Sequence, residues 1–251
     1  MIRLKSSREA ELMRAAGKVA AEARRLAGKM ARVGVTTKEI DAAVFEFIKS
    51  RGATPTFLNY HGFPASICAS VNEQVIHGIP DSRALRDGDI ISIDVGATKD
   101  GYIGDCAATY AVGRCGAEAL RLIDVTKRSF FEGIRYAREG CRISDISHAV
   151  QDFVESNGFS VVREYVGHGV GSMMHEPPEV PNFGGPGHGV RVVRGMTLAI
   201  EPMVNAGGHS VRVLGDKWTV VTQDGSLSAH YENTILVTDG EPEILTAAGD
   251  I

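Results

Sequence analysis

The chain carries the same pattern twice, and this limits its fold more than any other feature. Residues 34–52 laid over 140–158 give seven identities: Gly34/Gly140, Ile40/Ile146, Ala43/Ala149, Val44/Val150, Phe47/Phe153, Ser50/Ser156 and Gly52/Gly158. Amphipathic helices share some of these by composition alone. The match then continues where helical periodicity cannot help. GDIISID (88–94) lies over GMTLAIE (195–201), so that Asp94 falls on Glu201. Further on, Asp105-Cys106-Ala107 corresponds to Glu232-Asn233-Thr234, after a longer connection holding Trp218 and the Asp224-Gly225 turn. Duplicated units stack so that each buries the face it cannot bury alone. Packed about a pseudo-two-fold axis, these two would bring Asp94, Asp105, Glu201 and Glu232 to one central point.

The stretch 90–112 sharpens this expectation. Two strand-like runs rich in β-branched and small residues flank Lys99-Asp100-Gly101, a hairpin turn signal. Asp94 and Asp105 lie inside these runs, where aspartate is depleted and costly to bury unpaired. The numbers of directly opposed residues in a hairpin add to a constant, odd for an even loop, and those of Asp94 and Asp105 add to an odd number. Any even loop therefore puts both carboxylates on one face. A loop centred between Lys99 and Asp100 would set them opposite each other. Like charges at that range repel unless one is protonated or a cation lies between them. The competing reading is an edge hairpin with two solvated acids.

With 251 residues, 43% hydrophobic and 23% charged, the chain has the makeup of one large globular domain or two small ones. A net charge of −4 argues against nucleic acid or an anionic membrane as main partner. No apolar run approaches the ~20 residues that span a bilayer. The N-terminus is charged but lacks an apolar signal core, and Cys68, Cys106, Cys115 and Cys141 form no CxxC pair, so reduced thiols in the cytoplasm are expected.

Helices are expected over about 7–31, opened by the Ser6/Glu9 capping box, and after Thr36/Glu39, a second box, as far as Gly52. Further helices are predicted over 117–138 and 144–157. Extended segments are expected at 66–71, in NEQVIHGIP (72–80) and across FSVVREYV (159–166).

Four converging carboxylates require cations in a dry cleft. Oxygen ligands recruit Mg²⁺, Mn²⁺, Fe²⁺ or Co²⁺, and an imidazole shifts preference toward the transition metals. The candidate imidazole is His168, flanked by glycines. His175 in HEPP and His77 in HGIP sit on proline-stiffened loops suited to a cleft rim, whereas His188 and His209 lie in glycine-rich loop and carry no expectation. Three rim histidines and four acids suggest a two-metal hydrolytic site.

The motifs 60–80, 93–105, 161–178, 195–207 and 228–238 together resemble the type I methionine aminopeptidases, over nearly the whole chain from about Lys5 to Thr246. The resemblance implies an α/β (α+β) pita-bread fold: two pseudo-two-fold halves, about 5–112 and 117–246, around a central antiparallel sheet with helices outside, forming a single catalytic domain over 1–251. It implies two divalent ions (Co²⁺, Mn²⁺, Fe²⁺ or Zn²⁺) held by Asp94, Asp105, His168, Glu201 and Glu232. Asp105 and Glu232 would bridge, Asp94 would bind one ion, and His168 with Glu201 the other. A hydroxide bridging the ions would attack the scissile carbonyl, with Glu201 shuttling a proton, His77 contacting the scissile amide nitrogen and His175 the oxyanion. The methionine pocket would be built by Tyr60, His61, Phe63, Cys68 and Trp218, with Phe57 and Met174 nearby. The implied reaction removes the initiator methionine of nascent chains when the second residue is small, by a monomer docking transiently near the ribosome. Two alternatives share the fold: a Pro-specific peptidase, which usually carries a large N-terminal domain for which no room exists before Ser6, and an inactive binding module, which loses ligands that this chain keeps.

Overall fold

A computed structural model describes residues 2–247 and 249. The first half comprises α1 (Ser7–Met30), α2 (Thr37–Ser50), β1 (Thr54–Pro55), β2 (Ile67–Val71), β3 (Gln74–Ile76), β4 (Ile90–Lys99) and β5 (Tyr102–Ala111). Both expected capping boxes form: Ser6 Oγ accepts from Glu9 N–H, Thr36 Oγ1 accepts from Glu39 N–H, and each glutamate returns to the cap backbone. The second half comprises α3 (Ala117–Ile134), α4 (Ile143–Ser156), β6 (Ser160–Val161), β7 (Gly167–Gly169), β8 (Glu176–Val180), β9 (Thr197–Ile200), β10 (Met203–Asn205), β11 (Val211–Val213), β12 (Val220–Thr222), β13 (Ser228–His230), β14 (Glu232–Leu236) and β15 (Glu243–Ile244). Helix α3 stops four residues before the expected Arg138. Its end tightens into i→i+3 bonds from Tyr136 N–H to Gly133 and from Ala137 N–H to Ile134.

The main antiparallel sheet runs β1-β4-β5-β14-β9-β7-β8, with β2 also on β4 and β15 on β14. The halves meet at β5 and β14, where Cys106 pairs with Asn233 and Ala107 with Glu232. Helix α1 packs on the first half, where Val19, Ala20, Ala23 and Ala27 share a core with Ile91, Ile93 and Val95 of β4. In the second half Phe130 of α3 and Ile146 of α4 pack with Leu198, Ile200 and Ile235. The helices thus lie outside a central sheet, as the pita-bread expectation has it.

Two expectations are corrected. The β4–β5 loop is Asp100-Gly101, both at positive φ (49° and 79°), as a two-residue hairpin turn requires. It is even, so the acids share a face, but its centre lies one residue later than the position that would oppose them. Asp94 therefore pairs with Ala107 and Asp105 with Gly96, which sets the two carboxylates diagonally. FSVVREYV is not one strand either. Ser160 and Val161 pair with β10, and the chain then bends to start β7 in the main sheet. The long connection of the second half leaves the main sheet as β10–β13 and β11–β12, the latter pairing with β3 of the first half. Among the described residues no helix is long and apolar enough to cross a membrane.

Candidate metal centre and substrate pocket

The four acids reach one point because strands β4, β5, β9 and β14 are neighbours at the junction of the halves. Asp105 and Glu232 are 2% exposed, while Asp94 and Glu201 border the cleft. Their charges cannot be tolerated together. Burial pushes Asp94, Glu201 and Glu232 well above the carboxylate range, and the charge of Asp105 adds to each. Burial also raises Asp105, to about 7, while hydrogen bonding with Glu232 and Asp94 keeps it lower than it would otherwise be.

Three of these carboxylates leave a sealed oxygen without a protein partner: Asp94 Oδ1, Asp105 Oδ1 and Glu232 Oε1. Orphaned buried oxygens of mutually repelling acids are the donor set of a hard or borderline cation. His168 completes it. Its Nδ1 lies 2.9 Å from the Gly169 carbonyl, which can only accept, so Nδ1 carries the proton and Nε2 keeps its lone pair. That Nε2 stands 3.5 Å from Glu201 Oε1 and 3.7 Å from Asp105 Oδ2, too far to hydrogen-bond and suited to sharing an ion. Burial lowers the His168 imidazole to about 4, keeping it neutral as a ligand must be. Ligand atoms of Asp105, His168 and Glu232 lie within 4.8 Å of one another, and so do those of Asp94, His230 and Glu232. Two cation positions sharing Glu232 therefore fit the residues present.

His230 is the residue that sequence reasoning missed. It precedes Glu232 by two, the same-face spacing of a strand, and that was the available signal. The ring is buried, and burial drives it down to about 3.

His77 and His175 lie apart from this set: among the described residues, neither has a carboxylate oxygen within the 4 Å that His168 and His230 show. They face a cavity of about 260 Å³ that opens on Asp94, Asp105, Glu201 and Glu232. Burial lowers His77 to about 4, and its ring packs edge-on to Tyr165 and Trp218. His175 Nδ1 is 2.7 Å from the Tyr60 hydroxyl, and its ring meets that of His168 at 4.3 Å. All five pocket residues expected from the sequence line this cavity: Tyr60, His61, Phe63, Cys68 and Trp218. Phe57 and Met174 line it too, as do Ile76, Tyr165 and Val166, which no sequence spacing marked. Burial, then the charges of Asp94 and Asp105, push the Cys68 thiol far up, so it lines the wall as an apolar group. Non-glycine residues with positive φ cluster here, at Asn59 (66°), His61 (48°) and His77 (58°), strain of the kind concentrated at working sites. His188 and His209 take no part in the lining.

The sequence profile of metallopeptidase family M24 matches residues 11–239. A methionine aminopeptidase of Clostridium acetobutylicum is 56% identical over 247 residues, covering 98% of this chain and 99% of the relative. Methionine aminopeptidase 1 of Bacillus subtilis is 52% identical over 246 residues, with 98% and 99% covered. The crystal structure of a methionine aminopeptidase from Thermotoga maritima superposes with a TM-score of 0.97 at 46% identity, covering 98% of this chain and 99% of the other. With a paired-cation donor set beside an apolar cavity, and relatives matched along almost their full length, the chain belongs to metallopeptidase family M24 and, within it, to the type I methionine aminopeptidases, metal-dependent hydrolases of the pita-bread fold.

Proposed function

We propose that this protein removes the initiator methionine from newly made proteins whose second residue is small. The observation that carries the reading is the largely apolar cavity lined by Phe63, Cys68, Trp218 and Met174, which opens on the carboxylate cluster. Bound divalent ions, drawn from Co²⁺, Mn²⁺, Fe²⁺ or Zn²⁺, supply Lewis acidity and an activated water. Asp94, Asp105, His168, Glu201 and Glu232 would hold them.

The remaining chemistry belongs to this chain's own side chains. The apolar wall accepts the methionine side chain and presents its carbonyl to the cluster. Glu201, on the cleft side of the cluster, would take a proton from the attacking water and return it to the departing amine. The Tyr60 hydroxyl lies 2.7 Å from His175 Nδ1; with Tyr60 as the donor of that bond, His175 Nε2–H would be free to donate to the carbonyl oxygen as charge develops there. His77, held neutral, contacts the scissile amide nitrogen. The crowded rim around these two histidines limits the residue that follows methionine.

The substrates are then protein N-termini met in the cytoplasm, with transient docking at the ribosome. A net charge of −4 supports the absence of a stable nucleic-acid or membrane partner. The protein acts as a monomer, with residues 1–251 as one catalytic domain. Assays of Met-Ala-X, Met-Leu-X and Pro-X peptides test the reading. Pocket-size discrimination is worth about 1–3 kcal/mol per misplaced methylene, so Met-Ala-X should turn over at least tenfold faster than Met-Leu-X. Equal turnover of the two, or preference for Pro-X, would sink it.

A further inference from the structure

We propose that His230 is a sixth protein ligand of the metal centre, supplying an imidazole on the Asp94 side as His168 does on the Asp105 side; this rests on the metal-dependent reading above. His230 is 2% exposed, and its Nε2 is sealed from solvent with no hydrogen-bond partner. That atom lies 3.8 Å from Glu232 Oε2 and 3.9 Å from Glu201 Oε2. His168 stands at nearly the same spacing from its own carboxylates, 3.7 and 3.5 Å. Both sets are too long for hydrogen bonds. Both suit atoms that each bind one ion at about 2.0–2.2 Å, which places neighbouring ligand atoms roughly 3–4 Å apart.

The two clusters have the same composition: Asp105, His168 and Glu232 in one, Asp94, His230 and Glu232 in the other. Each joins an aspartate and an imidazole to the shared Glu232. Duplication did not produce this balance, because the position two before Asp105, which corresponds to His230, is the buried Ile103. The histidine is a feature of the second half alone. A nitrogen donor on the Asp94 side should favour Co²⁺, Fe²⁺ or Zn²⁺ over Mn²⁺ and Mg²⁺ at that position.

The test is calorimetric titration of chelator-treated full-length protein with Co²⁺, in parallel with Mn²⁺, while the visible absorption of bound Co²⁺ is recorded. The wild-type protein, His230→Gln and His168→Ala are compared. Two ions per chain are expected for the wild type. His230→Gln should keep one ion at wild-type affinity and bind the other about 10–100-fold more weakly, with an altered Co²⁺ spectrum and a smaller loss for Mn²⁺. Unchanged affinities and an unchanged spectrum overturn the proposal. A wild-type protein that binds no ion removes the metal reading itself, a different failure. Should His230→Gln not fold, proton NMR of the Co²⁺-loaded wild type decides. Paramagnetically shifted ring protons from two histidines support His230 as a ligand, and a set from one histidine overturns it.

Discussion

Cys106 and Asn233 face each other across the β5–β14 ladder, and they are equivalent positions of the two sequence repeats. The pseudo-two-fold axis therefore passes between them. Their neighbours Asp105 and Glu232 flank the axis on the cleft face, where they can share ions. On the opposite face Asn233 Oδ1 accepts from Arg24 Nη1 at 3.2 Å and from Thr246 Oγ1 at 3.0 Å. Helix α1 thus braces the junction through Arg24, which is 2% exposed. Thr234 ties the strands further, donating to the Asp105 carbonyl and accepting from its N–H.

The histidines should separate by role. His168→Ala should lose metal, because Nε2 sits among the carboxylates. His175→Ala should keep its metal and KM yet lose roughly 10²–10³ in kcat, since a donor to a developing oxyanion contributes about 2.7–4 kcal/mol. Metal stoichiometry, melting temperature and kcat measured on both variants check this. Equal metal loss from the two would show that the roles are wrongly divided.

Chelated protein should lose stability as pH rises from 6.5 to 8. Burial raises the folded pKa of Asp105 to about 7 and those of Asp94, Glu201 and Glu232 well above the carboxylate range. The stability these groups contribute is therefore full only below their unfolded values and drains as pH climbs to the folded ones, a loss that for Asp105 is complete just past 7 and to which the other three acids add. The buried histidines act in the opposite sense but lower down. His168 and His77, depressed to about 4, lose their contribution only as pH falls from 6.5 through 4. Melting temperatures in chelator should fall across pH 6.5–8, and the stabilisation on adding Co²⁺ should grow. A flat chelated profile would count against this account.

Lys5 Nζ and Glu176 Oε2 form a buried pair at 2.7 Å, with side chains 3% and 1% exposed. Glu176 Oε1 also accepts from Met173 N–H at 3.3 Å, which ties the chain start to the loop carrying Met174 and His175. Removing one partner strands the other charge, so Glu176→Ala should cost about 3–5 kcal/mol. At roughly 2–4 °C per kcal/mol, melting should drop by on the order of 10 °C. The double variant Lys5→Met/Glu176→Leu should recover most of that loss.

Gly17→Ala should destabilise, although alanine suits a helix better by about 1 kcal/mol. An added Cβ would stand 2.4 Å from the Leu245 carbonyl oxygen, and across the interface a Cβ at Gly104 would stand 2.4 Å from Gly17 Cα. Backbone cannot withdraw as a side-chain tip can, so overpacking of about 1–3 kcal/mol outweighs the propensity gain. Denaturant midpoints of Gly17→Ala and Gly104→Ala check it; a stabilised Gly17→Ala would overturn the close-approach argument.

What the sequence determined by itself was local or periodic. The capping boxes at Ser6 and Thr36 and a hairpin turn around Lys99-Asp100-Gly101 follow from contacts a few residues long, and any even loop there puts Asp94 and Asp105 on one face. The repeat added one long-range fact, that four acids meet. Tertiary structure decided the rest. The turn centre is set by which two residues accept positive φ, and a shift of one residue made the acids diagonal. The Tyr60–His175 bond spans 115 positions, the Lys5–Glu176 pair 171, and His230 reaches Glu201 only because β13 and β14 fold beside β9 and β10. Strand alternation can name the face on which a side chain lies, but only the packing of distant strands decides which other side chain it meets there.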